Sequence, residues 1–373
     1  MKMNDPPAKS TLPTTEPAPA KPGDEREGWH SIACGAMFRC IETKTQPMVA
    51  RVPRMDTMYR PEIKVLDCTI RDGGLINKWQ FSDEVVRDTY IACAAAGVDY
   101  VELGYKADPE LYPEPEYGRW RFCRDEDVER LLDGVERTAK LSCLVDIGRV
   151  RDEDIAPCEQ SPFDMIRVAS YVKDIDKAIS LAQLCMDRGY ETTINIMAVS
   201  SNLEKDIDEA LAQLAATAVP TVYVVDSYGS MYSEDITFLV KKYREALPGK
   251  TIGVHCHNNR QLAFGNTIQA IIDGSNLLDA SVFGMGRGAG NCCLELLLSF
   301  LKNPKFDVRP ILQLIQDHYL ALRQEVEWGY LIPYAITGML NEHPRTAIAM
   351  RKTDDADKYL EFYDKLTTPE VVD

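Results

Sequence analysis

From residue 62 onward the sequence alternates between apolar runs of period two and runs of period 3.6. The first, "KVLDCTI" at 64–70, reads as a β-strand. Its alternation, carried one residue further, puts Asp67, Thr69 and Arg71 on one face and Leu66, Cys68 and Ile70 on the other. Gly73 and Gly74 then let the chain turn behind Asp72. "SDEVVRDTYIACAAAG" follows with a helical period, Ser82 as its N-cap and Gly97 as its stop. That pairing recurs down the chain. Strand-like runs at 98–105, 140–148, 163–170, 190–199, 221–227, 250–257 and 277–284 are interleaved with helical runs near 125–138, 173–188, 203–218, 232–246, 260–273 and 291–302. Eight strands, nearly all followed by a helix, within about 240 residues have the length and rhythm of an α/β fold closed into a (β/α)8 TIM barrel. An open doubly wound sheet is the alternative, and eight units in one domain favour closure.

The flanks break this rhythm. Residues 1–29 are rich in Pro, Thr, Lys and acidic residues with little to bury, so a disordered or poorly ordered extension is expected over 1–60. Met55 and Met58, just ahead of the first strand, read as candidate starts of the native chain, which N-terminal sequencing would settle. The barrel is assigned to 61–304, and the amphipathic tail 305–373 reads as a helical extension that covers the barrel or meets a partner. A composition of 45% hydrophobic and 27% charged residues is that of a soluble globular protein. The net charge of -16 argues against a nucleic-acid or anionic-membrane surface and leaves a small molecule as the expected partner. No apolar run approaches the roughly 18 residues of a membrane span, no signal-peptide core is present, and a cytoplasmic location is expected. The 11 cysteines include no Cys-x-x-Cys pair; Cys68, Cys93, Cys143 and Cys185 lie in apolar runs and read as reduced, buried thiols. His30, Cys34 and Cys40 are too loosely spaced for a metal cluster.

In such a barrel, functional residues gather at the C-terminal ends of the strands. Strand one ends in Arg71-Asp72, strand two carries Glu102, strand six ends in Asp226-Ser227 and strand seven in "HCHNN", while the loop after strand eight, "GMGRGAGN", closes on Asn291. His-x-His on a strand turns His255 and His257 to one face, an arrangement that offers two nitrogens to one cation. A hydrogen-bonded structural pair is the plainer alternative. Only 5 histidines occur in the chain, however, and strands one and seven both flank strand eight in a closed barrel, which lets Asp72 join them. A two-His, one-carboxylate set with open positions suits Mn2+ or Mg2+, with Zn2+ or Co2+ as alternatives. The glycine loop lacks the dinucleotide spacing, which argues against a nicotinamide cofactor; its glycines let the chain pass close to the metal and present Asn291.

Together these residues resemble the DRE-TIM metallolyase superfamily, which has an Arg-Asp pair after strand one, a Glu on strand two and a His-x-His on strand seven. The segment "GVHCHNNRQLAFGNTIQAIIDGSNLLDASVFGMGRGAGNCCLE", with "VVDSYGSM" and "WGYLIPYAITGML", is similar to its 4-hydroxy-2-oxovalerate aldolase (HMG-CoA lyase-like) branch over about 64–340. The resemblance implies that Asp72, His255 and His257 hold a divalent metal with Asn291 on or beside it. It further implies that Arg71 stabilises the enolate of a 2-oxo acid, that Glu102 is the strand-two glutamate, that Ser227 contacts the substrate carboxylate, and that Tyr330 or Tyr334 reaches the substrate. The expected activity is a metal-dependent aldolase acting between pyruvate, or a similar 2-oxo acid, and an aldehyde.

One position departs from that branch. The histidine that acts there as base on the substrate hydroxyl is replaced here by Leu75, which takes no proton. Lys106, Tyr330, Tyr334 or a metal-bound hydroxide could stand in, and Lys106 itself reads either as a surface ammonium or as a carboxylate clamp at the barrel mouth. The 3-hydroxy-3-methylglutaryl-CoA lyase branch fits less well, because Cys292 and Cys293 follow Asn291 rather than precede it; so does the acyl-CoA condensing branch, which prefers Arg-Asp-Gly-Glu-Gln. A barrel without catalysis, serving as a partner subunit, is the rival from another class. The resemblance also implies pairing with an aldehyde dehydrogenase, and a homo-oligomer is equally open.

Overall fold

The computed structural model describes residues 60–368 except Pro115, so the expected N-terminal extension, its loose His/Cys group and the alternative starts lie outside the described residues. Eight parallel strands close into a barrel in chain order: β1 (Lys64–Asp67), β2 (Tyr100–Tyr105), β3 (Lys140–Asp146), β4 (Met165–Tyr171), β5 (Glu191–Met197), β6 (Thr221–Asp226), β7 (Thr251–Cys256) and β8 (Leu277–Ala280). Closure is made by β8, which pairs with β7 at Gly253↔Leu277 and with β1 from Lys64↔Leu277 to Asp67↔Ala280.

Helices run α1 (Thr69–Asn77), α2 (Asp83–Ala95), α3 (Asp125–Leu131), α4 (Ile175–Asp187), α5 (Glu204–Ala215), α6 (Ser233–Ala246), α7 (Ala263–Asp273) and α8 (Leu294–Phe300). The tail adds α9 (Arg309–Leu314), α10 (Leu320–Glu325), α11 (Ile332–Met339), α12 (Arg345–Met350) and α13 (Tyr359–Thr367). The punctuation of α2 is as the residues require: Ser82 Oγ accepts from Val85 N at 3.2 Å, and Gly97 takes the left-handed φ of +78° just past the last turn.

One expectation is corrected. The strand expected over 64–70 ends at Asp67, and Thr69–Asn77 is helical, so Thr69 and Arg71 do not share a strand face with Asp67. Buried hydrogen bonds stop the strand there. Thr69 donates its hydroxyl to Asp67 Oδ1 and accepts from Val282 N at 2.8 Å, and Asp72 N already donates to Cys68 O at 2.9 Å. Gly73 and Gly74 are helical residues that make room: a Cβ on Gly74 would lie 2.1 Å from the Trp79 indole, and one on Gly73 would lie 3.0 Å from Met285 Sδ.

The main core fills the layer between strands and helices, and a smaller apolar cluster of Leu66, Tyr100, Met165, Tyr223 and Leu277 occupies the barrel interior. Cys256, like most of the nine free cysteines of the described residues, is buried. The C-terminal extension covers part of the mouth, as expected. Asn259 Nδ2 donates to Tyr334 O at 3.3 Å, Arg260 Nε to Gly338 O at 3.0 Å, and Asn341 Oδ1 accepts from both Ser200 Oγ and Ser230 Oγ. Among the described residues no helix is long and apolar enough to cross a membrane.

Candidate functional site

Because β1 stops early, α1 starts at the barrel mouth and carries Arg71 and Asp72 in its first turn toward the ends of β7 and β8. Ligand atoms of Asp72, His255 and His257 lie within 4.8 Å of one another, and all three residues are buried. Asn291 joins them, donating Nδ2 to Asp72 Oδ2 at 2.5 Å. Gly286 permits that approach, since a Cβ there would fall 2.3 Å from Asn291 Nδ2 and 2.8 Å from Asp72 Oδ2.

The donor set fits a divalent cation. Burial pushes the His257 imidazole down to about 3, so the ring is neutral and keeps a lone pair. Burial opposes ionisation of Asp72, but His257 and Arg71 overcome it and hold the carboxyl well below the usual carboxylate range. His255 Nδ1 lies 2.9 Å from Asp279 Oδ2; donated there, its proton leaves Nε2 as the free donor atom. Asn291 Oδ1 is buried without any hydrogen-bond partner, an orphan oxygen that a cation would satisfy. A second grouping, Cys68, His255 and Asp279, is equally compact but poorly suited to a metal. Burial pushes the Cys68 thiol far up, and Asp279 is already engaged by Arg167 and His255.

Behind this cluster runs a buried ionic chain. Arg71 Nε donates to Glu102 Oε2 at 2.7 Å and its Nη1 to Asp72 Oδ1 at 3.0 Å. Arg167, fully buried on β4 and stacked 4.4 Å from the Tyr223 ring centre, donates to Glu102 Oε2 at 3.0 Å and to Asp279 Oδ2 at 2.6 Å. Glu102 therefore joins two guanidiniums, and Asp279 joins the second of them to His255. Arg167 and Asp279 escape the sequence reading; the available signal was a lone charge in the middle of an apolar strand, "MIRVAS" and "LLDAS".

Other expected site residues are placed as follows. Ser227, 7% exposed at the end of β6, accepts from Ala198 N at 2.9 Å, which leaves its hydroxyl proton free to donate. Lys106 is neither a surface ammonium nor turned to the cluster: it is 6% exposed, 2.5 Å from Asp125 Oδ1 and 5.1 Å from the Phe163 ring centre. A register shift between Glu102 and Tyr105 on β2 turns it into the outer layer. Tyr330 is exposed ahead of α11, while Tyr334 is buried with its hydroxyl accepting from Arg351 at 2.6 Å. Leu75 is half-buried and packs against the core.

Residues 163–318 match the HMGL-like family. The 4-hydroxy-2-oxovalerate aldolase of Pelotomaculum thermopropionicum is 31% identical over 259 residues, which are 69% of this chain and 75% of that protein. The chain belongs to the HMGL-like family of enzymes. Another relative of this HMGL-like chain, the oxaloacetate decarboxylase of Mycobacterium tuberculosis, is 31% identical over 255 residues, 66% of this chain and 72% of the relative. Among solved structures, the N-terminal domain of a Bacteroides vulgatus protein assigned as an aldolase superposes with a TM-score of 0.66 at 27% identity, covering 79% of this chain and 98% of that one. The HMGL-like assignment agrees with the DRE-TIM pattern read from the strand ends, and the aldolase among the relatives agrees with the expected branch.

Proposed function

We propose that the protein is a divalent-metal-dependent aldolase that cleaves or forms the C3–C4 bond of a 4-hydroxy-2-oxo acid, with pyruvate or a similar 2-oxo acid as one product. The convergence of Asp72, His255, His257 and Asn291 beside the Arg71 guanidinium carries this reading. A divalent cation held by these four residues, Mn2+ or Mg2+ ahead of Zn2+ or Co2+, would supply Lewis-acid polarisation of the 2-oxo group. Arg71 spends Nε on Glu102 and Nη1 on Asp72, which leaves Nη2 for the substrate oxygen on which charge develops. Ser227 directs its free hydroxyl proton to the substrate carboxylate. Tyr105, pushed up by burial, stays a neutral phenol and serves as a hydrogen-bond donor rather than a base. Cleavage breaks C3–C4, takes the proton from the 4-hydroxyl, leaves C4 as an aldehyde and returns a proton to C3.

Leu75 favours a second reading, decarboxylation of a 2-oxo diacid, the reaction for which one relative is named. Loss of CO2 leaves the same enolate and requires no hydroxyl proton to be removed. Both readings are tested by pyruvate release with Mn2+ or with chelator, from a panel of 4-hydroxy-2-oxo acids and from oxaloacetate, beside Asp72→Ala. Metal-dependent pyruvate from a hydroxy acid, abolished in the variant, is the expected result. Pyruvate from oxaloacetate alone selects decarboxylation, and none from either set refutes both.

A further inference from the structure

One buried cation has no part in this chemistry. Arg121 lies on a single helical turn, Arg119–Arg121, between β2 and α3 and is 3% exposed. Its guanidinium sits among three rings, 3.9 Å from the centre of Tyr112, 4.4 Å from Tyr105 and 4.7 Å from Trp79. Ring faces attract a cation but give its in-plane N–H groups no acceptor. Among the described residues the Arg121 side chain has no ion pair and no hydrogen bond; Nε is sealed without a partner, and the two terminal nitrogens keep the little exposure the residue has. Arg71 and Arg167, buried at the same end of the barrel, are each paired with two carboxylates. A buried guanidinium without an anion is costly and calls for one from outside the described residues.

Its position relates it to the site. Trp79, one wall of the cage, donates Nε1–H to Arg71 O at 3.1 Å. Tyr105, a second wall, stands edge-on to Trp79 at 5.4 Å and has Arg71, Arg121 and Asp72 among its charged neighbours. Arg121 is thus one aromatic ring removed from Arg71. Its planar fork, packed among the rings, carries unpaired N–H groups of the kind that match a carboxylate.

We infer that Arg121 binds a carboxylate at the substrate end remote from the 2-oxo group, which makes the substrate class a 4-hydroxy-2-oxo diacid. This rests on the aldolase reading. Breaking C3–C4 then yields pyruvate and an aldehyde that keeps the distal carboxylate, with the 4-hydroxyl proton lost and one proton gained at C3. A carboxylate retained through the reaction can be held by a guanidinium throughout. One that must leave as CO2 cannot, because the cation stabilises the charge that has to depart.

The test measures kcat/KM of the full chain with Mn2+ for 4-hydroxy-2-oxopentanedioate and 4-hydroxy-2-oxopentanoate, in the wild type, Arg121→Met and Arg121→Lys. The wild type is expected to prefer the diacid, and that preference is expected to fall roughly 10- to 100-fold in Arg121→Met and less in Arg121→Lys. A preference unchanged by Arg121→Met, or a wild type that prefers the monoacid, overturns the inference. Calorimetric titration with succinate reads the same site without cleavage, and binding at least tenfold weaker in Arg121→Met is expected. If neither hydroxy acid yields pyruvate while succinate binding still depends on Arg121, the aldolase reading fails and the carboxylate site stands. Succinate that binds both proteins equally, or neither, overturns the site.

Discussion

Replacing Arg167 by methionine removes the one side chain that joins Glu102 to Asp279. Methionine fills most of the volume but supplies no donor. Glu102 then keeps Arg71 at 2.7 Å, and Asp279 keeps His255 at 2.9 Å, with Asp279 Oδ1 lacking a partner among the described residues. Burial alone would push the Asp279 carboxyl up; Arg167 is foremost among the groups that hold it down, so the variant's Asp279 is expected to take a proton and to grip His255 less firmly. Breaking a buried ion pair from one side costs about 3–5 kcal/mol. For a domain of this size roughly 2 °C accompanies each kcal/mol, giving a melting temperature about 6–10 °C lower. With the orientation of His255 loosened, Mn2+ affinity should fall about 10- to 100-fold. Scanning calorimetry with and without Mn2+ and a calorimetric Mn2+ titration read the two effects separately. A variant melting within about 2 °C of the wild type and binding Mn2+ within a factor of about two would refute the claim that this chain supports the site.

Two further outcomes follow from the surroundings of β1. Gly74→Ala puts a Cβ 2.1 Å from the Trp79 indole, so it should cost about 1–3 kcal/mol by overpacking, read as a lowered melting temperature; an unchanged melt would show that Trp79 moves freely. Burial raises Asp67 from 3.8 to about 7, so the folded chain holds a proton that the unfolded chain releases across that window. Its contribution is complete below 3.8 and is lost as pH rises through about 7, on the order of 4 kcal/mol. Asp67→Asn, neutral at every pH, should flatten the decline of melting temperature between pH 5 and 8; equal slopes in both proteins would remove Asp67 as its cause.

The barrel was legible because period and punctuation repeat eight times, and the cluster of Asp72, His255 and His257 because the two histidines stand two apart at the end of one strand. The turn into α1 was not. "TIRDGGLIN" combines β-branched residues with two glycines, poor helix formers, and the helix exists because Val282, Trp79 and Met285 constrain it from outside its own sequence. Lys106 defeats the alternation rule because one irregularity after Glu102 exchanges the faces of everything downstream. Arg167 and Asp279 were hidden for another reason: each looks like an isolated charge in its own strand, and only the closed sheet brings the two together.

That closure also bears on how the chain folds. Asn291 and Asp72 meet across 219 positions, and Arg167 reaches Asp279 across 112. A growing chain that has produced only β1 to β6 holds Asp72 with Arg71 but not Asn291, and Arg167 with Glu102 but not Asp279. Sealing such a partial barrel would bury these charges with part of their hydrogen bonding unmet, so the incomplete form is disfavoured by the same groups that reward the finished one. The docking of β8 between β7 and β1 therefore completes the sheet and its buried ionic chain in one event, a long-range contact whose loop closure must be met late in folding.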